Sequence, residues 1–356
     1  MKISKDFNGR NIRIEKQEGD IYYLNNEIRD TKEDWFYWAF CAEGEEGETV
    51  TFRLPEVRLG YYGPAVSHDL KNWEWYGNSG EENSFTYTFG KNEDKVYFAH
   101  DMLYHPERFF EFAKTHGIEL RELCKSRKDR SVPYFTLGDG ERTVFLTARH
   151  HACESTGSYV LEGVLDELIK NPLDDTRIIC VPFVDYDGVI DGDQGKSRAP
   201  HDHNRDYEKG VEAIYPETAE IRKFAEGGVV YAFDFHSPWH FSGENDKVFI
   251  VRKLKEKTPE YDVFGALFEK SITPESMKYH VADDHPADYL WASSDNPNYI
   301  GYMYKVGGAK FAATLETAYF GTPDSIFTQS KGVELGHCFA RALKKYDESY
   351  ENKNQE

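Results

Sequence analysis

The sequence predicts an α/β chain in which a central sheet is covered by helices on both faces and is preceded by an N-terminal antiparallel β-sandwich. Three observations lead there. Up to about Leu103, short alternating segments are separated by Gly-, Asn-, Asp- and Glu-rich turns, the pattern of a sandwich. From about Tyr104 onward, apolar strands alternate with helical stripes, which argues for a sheet wrapped on both sides. The 356 residues suit about two domains at roughly 100–200 residues each. Residues 1–104 are expected to form the sandwich and residues 105–350 the second domain.

The first strands are read at Ile12-Arg13-Ile14, at Thr49 to Phe52, at Phe85 to Phe89 and at Val96 to Ala99, with turns such as AEGEEGE between them. The cluster Trp35-Phe36-Tyr37-Trp38 is expected to fill the middle of the sandwich. A helix fits Pro106 to Gly117, with proline in its first turn. Strands follow at Thr143 to Ala148, Arg177 to Val184, Val229 to Phe235, Val248 to Val251 and Phe311 to Leu315. Tyr159, Val160, Val164, Leu165, Leu168 and Ile169 make a helical stripe. Further helices are expected at Thr218–Glu226 and from about Ser325 to Tyr346, with a frayed tail.

Composition narrows the function. A net charge of -20 repels nucleic-acid phosphates, and no basic stripe offsets it. No stretch approaches the roughly 18 uncharged apolar residues of a membrane helix. Neither nucleic acid nor membrane is therefore an expected partner. The start MKISKDFNGRNIRIEK lacks the apolar core of a secretory signal. Cys41, Cys124, Cys153, Cys180 and Cys338 are odd in number, with no CxxC pair. Reduced thiols and a cytoplasmic location are expected.

The chemistry-bearing residues lie just past apolar strands, where open α/β sheets hold their ligands. His151 and Glu154 are three apart at a strand-to-helix turn, and His236 follows a later strand. Two imidazoles and a carboxylate with an open fourth position form the ligand set of a hydrolytic zinc site. His150 is an alternative to His151, but only His151 stands at i, i+3 from Glu154. Between these segments lie Asp185-Tyr186-Asp187-Gly188-Val189 and Asp202-His203-Asn204-Arg205, and Thr314-Leu315-Glu316 ends a late strand.

This order of motifs resembles the zinc carboxypeptidases, the carboxypeptidase A-like family, over about Pro133 to Cys338. Within that family the likeness is closest to the cytosolic carboxypeptidases. It rests on Trp35-Phe36-Tyr37-Trp38, Tyr87-Thr88-Phe89, Val96-Tyr97-Phe98-Ala99, Tyr104-His105-Pro106 and the ending TLETAYFG. The resemblance implies a mixed central sheet and one zinc ion per chain, held by His151, Glu154 and His236. It implies that Asp202 hydrogen-bonds the first His ligand, and that Glu316 is the general base to a zinc-activated water. Asn204 and Arg205 would grip the terminal carboxylate of a peptide or protein substrate. Arg198 is expected to polarise the scissile carbonyl, with Lys196 as the alternative. One of Tyr299, Tyr302 and Tyr304 would contact substrate. The NPDG-like motif departs at two places, which reads as altered specificity. Cys153 reads as a buried filler. Lys305 and Lys310 fall in the stretch that would shape the terminal side-chain pocket. The rival readings are an N-acyl amino acid deacylase of the aspartoacylase type, which carries its β domain after the core, and an inactive zinc-binding module. Oligomeric state leaves no signal in the sequence.

Overall fold

The alternating N-terminal segments form two facing sheets. One contains β1 (Lys2–Ser4), β4 (Ala39–Glu43), β6 (Ala65–Ser67), β7 (Glu74–Trp75) and β9 (Lys95–Ala99), ordered β1-β4-β9-β6-β7. The other contains β2 (Arg13–Glu18), β3 (Ile21–Asn25), β5 (Thr49–Arg53) and β8 (Ser84–Thr88), ordered β2-β3-β5-β8. These are antiparallel as expected, except that β3 and β5 pair in parallel. The chain between them crosses to the other sheet as β4 and returns in its original direction, the kind of connection a parallel pair needs. This computed structural model describes residues 1–4, 6–77, 83–287, 289 and 295–355.

Trp38, Phe40, Phe52, Phe85 and Phe98 fill the space between the two sheets. Of the four aromatics expected there, only Trp38 takes that place. The segment precedes β4 and runs along the junction with the rest of the molecule. Phe36 packs against Tyr319 and Phe320, and Tyr37 joins the larger core.

The second half is a mixed sheet ordered β10-β11-β13-β12-β14-β16-β15. Its strands are β10 (Arg121–Lys125), β11 (Ser131–Leu137), β12 (Arg142–Ala148), β13 (Thr176–Val181), β14 (Tyr231–His236), β15 (Phe249–Val251) and β16 (Phe311–Glu316). β13, β12, β14 and β16 are mutually parallel, and the flanking strands are antiparallel. Alternate residues feed opposite faces, as the two-residue strand period requires. Val144 and Leu146 meet α1 (Pro106–Thr115), α2 (Ser155–Lys170), α5 (Thr258–Ser271) and α7 (Gln329–Gln355). Phe145 and Ala232 meet α4 (Pro216–Glu226) and α6 (Tyr299–Lys305). A short α3 (Tyr186–Asp191) follows β13.

The last helix differs from expectation at both ends. Ser325 and Ile326 pair with Gly321 and Thr322, so the helix starts only at Gln329. Beyond Tyr346 no Gly or Pro stops it, and the expected frayed tail continues it to Gln355. The β10–β11 hairpin and α5 have no counterpart in the sequence reading. β10 (RELCK) is an edge strand with no buried residue and so no apolar alternation, and Gly265 interrupts the α5 pattern. Among the described residues, no helix is long and apolar enough to cross a membrane.

Candidate active site

The residues singled out above converge because three parallel strands end side by side. β12 stops at Ala148, and the chain turns through Arg149, His150 and His151 to Glu154, which precedes the first turn of α2. α2 sits directly on the end of β14: a Cβ on Gly157 would lie 2.5 Å from the Phe235 carbonyl oxygen. Only glycine permits that approach, and it brings Glu154 up to His236. β14 and β16 pair with His236 opposite Glu316, so both side chains leave the sheet at the same end.

His151 Nδ1 lies 2.9 Å from Glu154 Oε1, and His236 Nδ1 lies 2.6 Å from Glu154 Oε2. One ligand atom from each of the three residues falls within 4.8 Å of the others. Each imidazole has a second carboxylate nearby. His236 Nε2 lies 2.5 Å from Asp234 Oδ2, a partner of the kind that fixes ring orientation and raises ligand basicity. His151 Nε2 lies 3.7 Å from Asp202 Oδ1, an ion-pair approach in place of the expected hydrogen bond, and that oxygen has no hydrogen-bond partner. His150, Asp234 and His236 form a second cluster. There, His150 is already engaged at both nitrogens, by Asp234 at 2.8 Å and by the Tyr207 hydroxyl at 2.7 Å. His150 and Asp234 are also completely buried and do not reach the cavity. The His151–Glu154–His236 set does reach it, and its donor chemistry suits zinc.

The cavity has a volume of about 430 Å³ and also takes in Asp202, Asn204, Arg205, Lys196 and Glu316. Asn204 accepts a 3.2 Å hydrogen bond at Oδ1 from the Tyr299 amide. Arg205 donates from Nη1 to the Asn204 carbonyl and lines the wall. Glu316 is buried, and its Oε2 has no hydrogen-bond partner.

Charge is concentrated here. Burial opposes ionisation of Glu154, yet His151, Lys196 and His236 together hold its carboxyl well below the ordinary range. Burial likewise works against charge on the two imidazoles, but Glu154 with Asp202 raises His151, and Asp234 with Glu154 raises His236 well above the usual value. Burial pushes the Glu316 carboxyl up to about 7.

Arg198, expected to face the substrate carbonyl, is not brought into the cavity. Its guanidinium is held by Asp185 at 2.6 Å, Asp30 at 3.0 Å and Asp193 at 3.2 Å. Lys196, two residues earlier, lines the cavity instead. None of Tyr299, Tyr302 and Tyr304 lines it, and neither do Lys305 and Lys310. Tyr299 and Tyr304 donate their hydroxyls to the carbonyls of Phe145 and Ala312. The departures from NPDG have structural uses. Asp185, in place of the motif's Asn, accepts from the Gly188 amide at the start of α3, and Tyr186, in place of its Pro, packs against the larger core; Asp187, which keeps the motif, pairs with Arg130 at 2.8 Å. Cys153 is buried with its sulfur 3.7 Å from the Tyr319 hydroxyl, and burial pushes its thiol up to about 12.

Three contributors were not read from the sequence. Asp234 stands two residues before His236 on one strand, hence on the same face, and that period could have revealed it. Trp35 and Trp239 form one lip of the cavity, with ring centroids 4.7 Å apart. They come from the sandwich and from the loop after β14, and no local signal joins them.

No family profile matches the chain. It is 24% identical to the uncharacterized protein ZMO1242 of Zymomonas mobilis, over 86% of this chain and 85% of that one. It is 23% identical to cytosolic carboxypeptidase 6 of Caenorhabditis elegans, over 95% of this chain and 82% of that protein. Against cytosolic carboxypeptidase 2 of Xenopus tropicalis the identity is 28% over 74% of this chain, which spans only 30% of that relative's length. In structure it superposes on a metallo-carboxypeptidase from Burkholderia cenocepacia with a TM-score of 0.79 at 18% identity, covering 98% and 99% of the two chains.

Proposed function

We propose, proceeding from the chain's likeness to cytosolic carboxypeptidases in sequence and to a metallo-carboxypeptidase in fold, that it is a zinc-dependent metallocarboxypeptidase removing C-terminal residues from peptides or protein tails. The observation that carries this reading is that His151, Glu154, His236, Glu316, Asn204 and Arg205 all line one cavity. A module that only bound zinc would have no use for Glu316 or Arg205 there.

His151, Glu154 and His236 would hold the metal, one ion per chain. Zinc in that place supplies Lewis acidity, which acidifies water and polarises a carbonyl. The chain's own residues do the rest. Glu316 takes the proton of the attacking water at its unpartnered Oε2 and passes it to the departing amine. Burial pushes the Glu316 carboxyl up to about 7, and a dication held by the three ligands would favour its ionised form. Arg205, beside Asn204, offers a planar fork to a terminal carboxylate. Asp202 and Asp234 hold the two imidazoles in orientation. Residues 1–104 act as a separate folding unit that supplies Trp35 to the cavity lip, with residues 105–350 as the catalytic unit. The relatives named cytosolic carboxypeptidases support a cytoplasmic location.

The test is digestion of a peptide library with product identification by mass spectrometry. Single C-terminal residues should be released, and a chelator should abolish the release. Amidating the C-terminus, or making Arg205→Ala, should raise KM and lower kcat, because remote binding energy positions the reacting carbonyl. The two losses should not add, since both remove one contact. Release of internal fragments first, or preferential cleavage of N-acyl amino acids, would overturn the reading; the latter would favour the deacylase.

Zinc affinity should depend steeply on pH. His151 and His236 hold their protons above the usual imidazole range in the metal-free protein, and the metal must displace them. Affinity should therefore weaken as pH falls and strengthen as it rises past neutral. Calorimetric titration with zinc across pH 6 to 8 checks this, and a flat profile would contradict the assignment of both ligands.

A further inference from the structure

We propose that Lys196, and not Arg198, is the cation that polarises the scissile carbonyl and stabilises the oxyanion. This rests on the carboxypeptidase reading above. Among the described residues lining the cavity, the lysine and arginine side chains are those of Lys196 and Arg205 alone. Arg205 stands beside Asn204, on the loop that follows Asp202. Lys196 stands at the metal end, with Nζ 2.6 Å from Glu154 Oε1. Arg198 is committed to three carboxylates outside the cavity.

The loop holding Lys196 is built to stay in place. Gly195 has φ +77°, and a Cβ there would lie 2.1 Å from the Ala152 amide nitrogen, so the loop is pressed against the turn between the two ligands. The Gly195 and Gln194 amides both donate to Asp30, at 2.8 Å and 3.0 Å. The Gln194 side chain accepts from the Tyr37 amide and donates to the Tyr37 carbonyl, each at 2.9 Å. The sandwich thus anchors the loop. Its Trp35 ring also lies under the ammonium, with Nζ 4.7 Å from the ring centroid, a cation–π contact that supports a charge removed from water.

The ammonium is a compact charge with three donors on a flexible stem, and a carbonyl oxygen entering the cavity offers it a new acceptor. When water adds to the carbonyl carbon, the C=O π pair moves onto oxygen, and Lys196 donates a hydrogen bond to that oxyanion without losing its proton. The pair then returns as the C–N bond breaks, and the amine leaves with the proton carried by Glu316. A donor aimed at charge that develops only in the transition state raises kcat more than it lowers KM.

The test compares Lys196→Met, Lys196→Arg and Arg198→Met with the unmutated protein. It measures zinc content, kcat and KM on a free-acid peptide, and calorimetric affinity for a peptide phosphonate and for the released amino acid. Lys196→Met should keep its zinc and its affinity for the amino acid. Its kcat should fall ~10²–10³-fold, the usual effect of removing one oxyanion donor, and phosphonate affinity should fall by a similar factor. Lys196→Arg should recover part of both, and Arg198→Met should keep its phosphonate affinity. The proposal is overturned if Lys196→Met loses zinc in step with activity, since the lysine would then serve Glu154. It is also overturned if Lys196→Met keeps its phosphonate affinity, or if the loss appears in Arg198→Met instead. An unmutated chain that turns over no peptide would bring down the carboxypeptidase reading and this one with it. Normal turnover in the unmutated chain and in Lys196→Met would remove only this one.

Discussion

Replacing Glu316 by glutamine should leave zinc content and fold intact and lower kcat by ~10²–10⁴-fold, the usual contribution of a general base. The amide is nearly isosteric with the carboxyl, and the carboxyl makes no hydrogen bond at Oε2 that the change would break. The backbone around it is fixed by pairing on both sides, with His236 in β14 and with Phe249 in β15. What is lost is the ability to accept a proton from the attacking water. Because burial pushes this carboxyl up to about 7, the amide also removes a group that should release a proton when zinc binds near neutral pH. Zinc titrations in buffers of different ionisation enthalpy should show fewer protons released by Glu316→Gln. Unchanged kcat in this variant would take Glu316 out of the mechanism.

Removing either imidazole should empty the metal site. A binding free energy of about 10–16 kcal/mol for a four-ligand zinc site corresponds to about 3–4 kcal/mol per ligand. The expected loss for His151→Ala or His236→Ala is therefore ~10²–10³-fold in zinc affinity. The two variants should differ in stability. His236 is enclosed between Asp234 and Glu154, and its removal leaves two buried carboxylates facing each other, a change of the kind that costs about 3–5 kcal/mol. His151 sits at the cavity wall and is partly open to solvent, so its loss should spare the fold. Elemental analysis and thermal denaturation of the pair separate the two effects. Full zinc retention in both variants would remove these residues from the ligand set.

Some of this was determined by the sequence alone, because it is local along the chain. His151 and Glu154 are three residues apart, and His236 and Glu316 each end an apolar run. Their positions relative to a strand end follow from strand period and length without any knowledge of neighbours. The order of the fold, β-sandwich first and helix-covered sheet second, was legible for the same reason: period-2 segments come first, then strands alternate with helical stripes. Elements without a periodic apolar signal were not legible, as with the solvent-facing β10.

Only the tertiary structure decided which side chains meet. The pairing of His236 with Glu316 is a property of strand register, which depends on long-range hydrogen bonds. Lys196 and Arg198 lie two residues apart, and composition cannot rank them. The choice falls to Asp30 from the sandwich with Asp185 and Asp193, which neutralise Arg198 outside the cavity and leave Lys196 inside. Trp35 was expected inside the sandwich but is only partly buried, and its place opposite Trp239 depends on how the sandwich docks on the loops after β14 and β16, where Phe36 packs against Tyr319 and Phe320. Contacts between segments so distant in sequence come from burying shared apolar surface, and no local pattern encodes the partner.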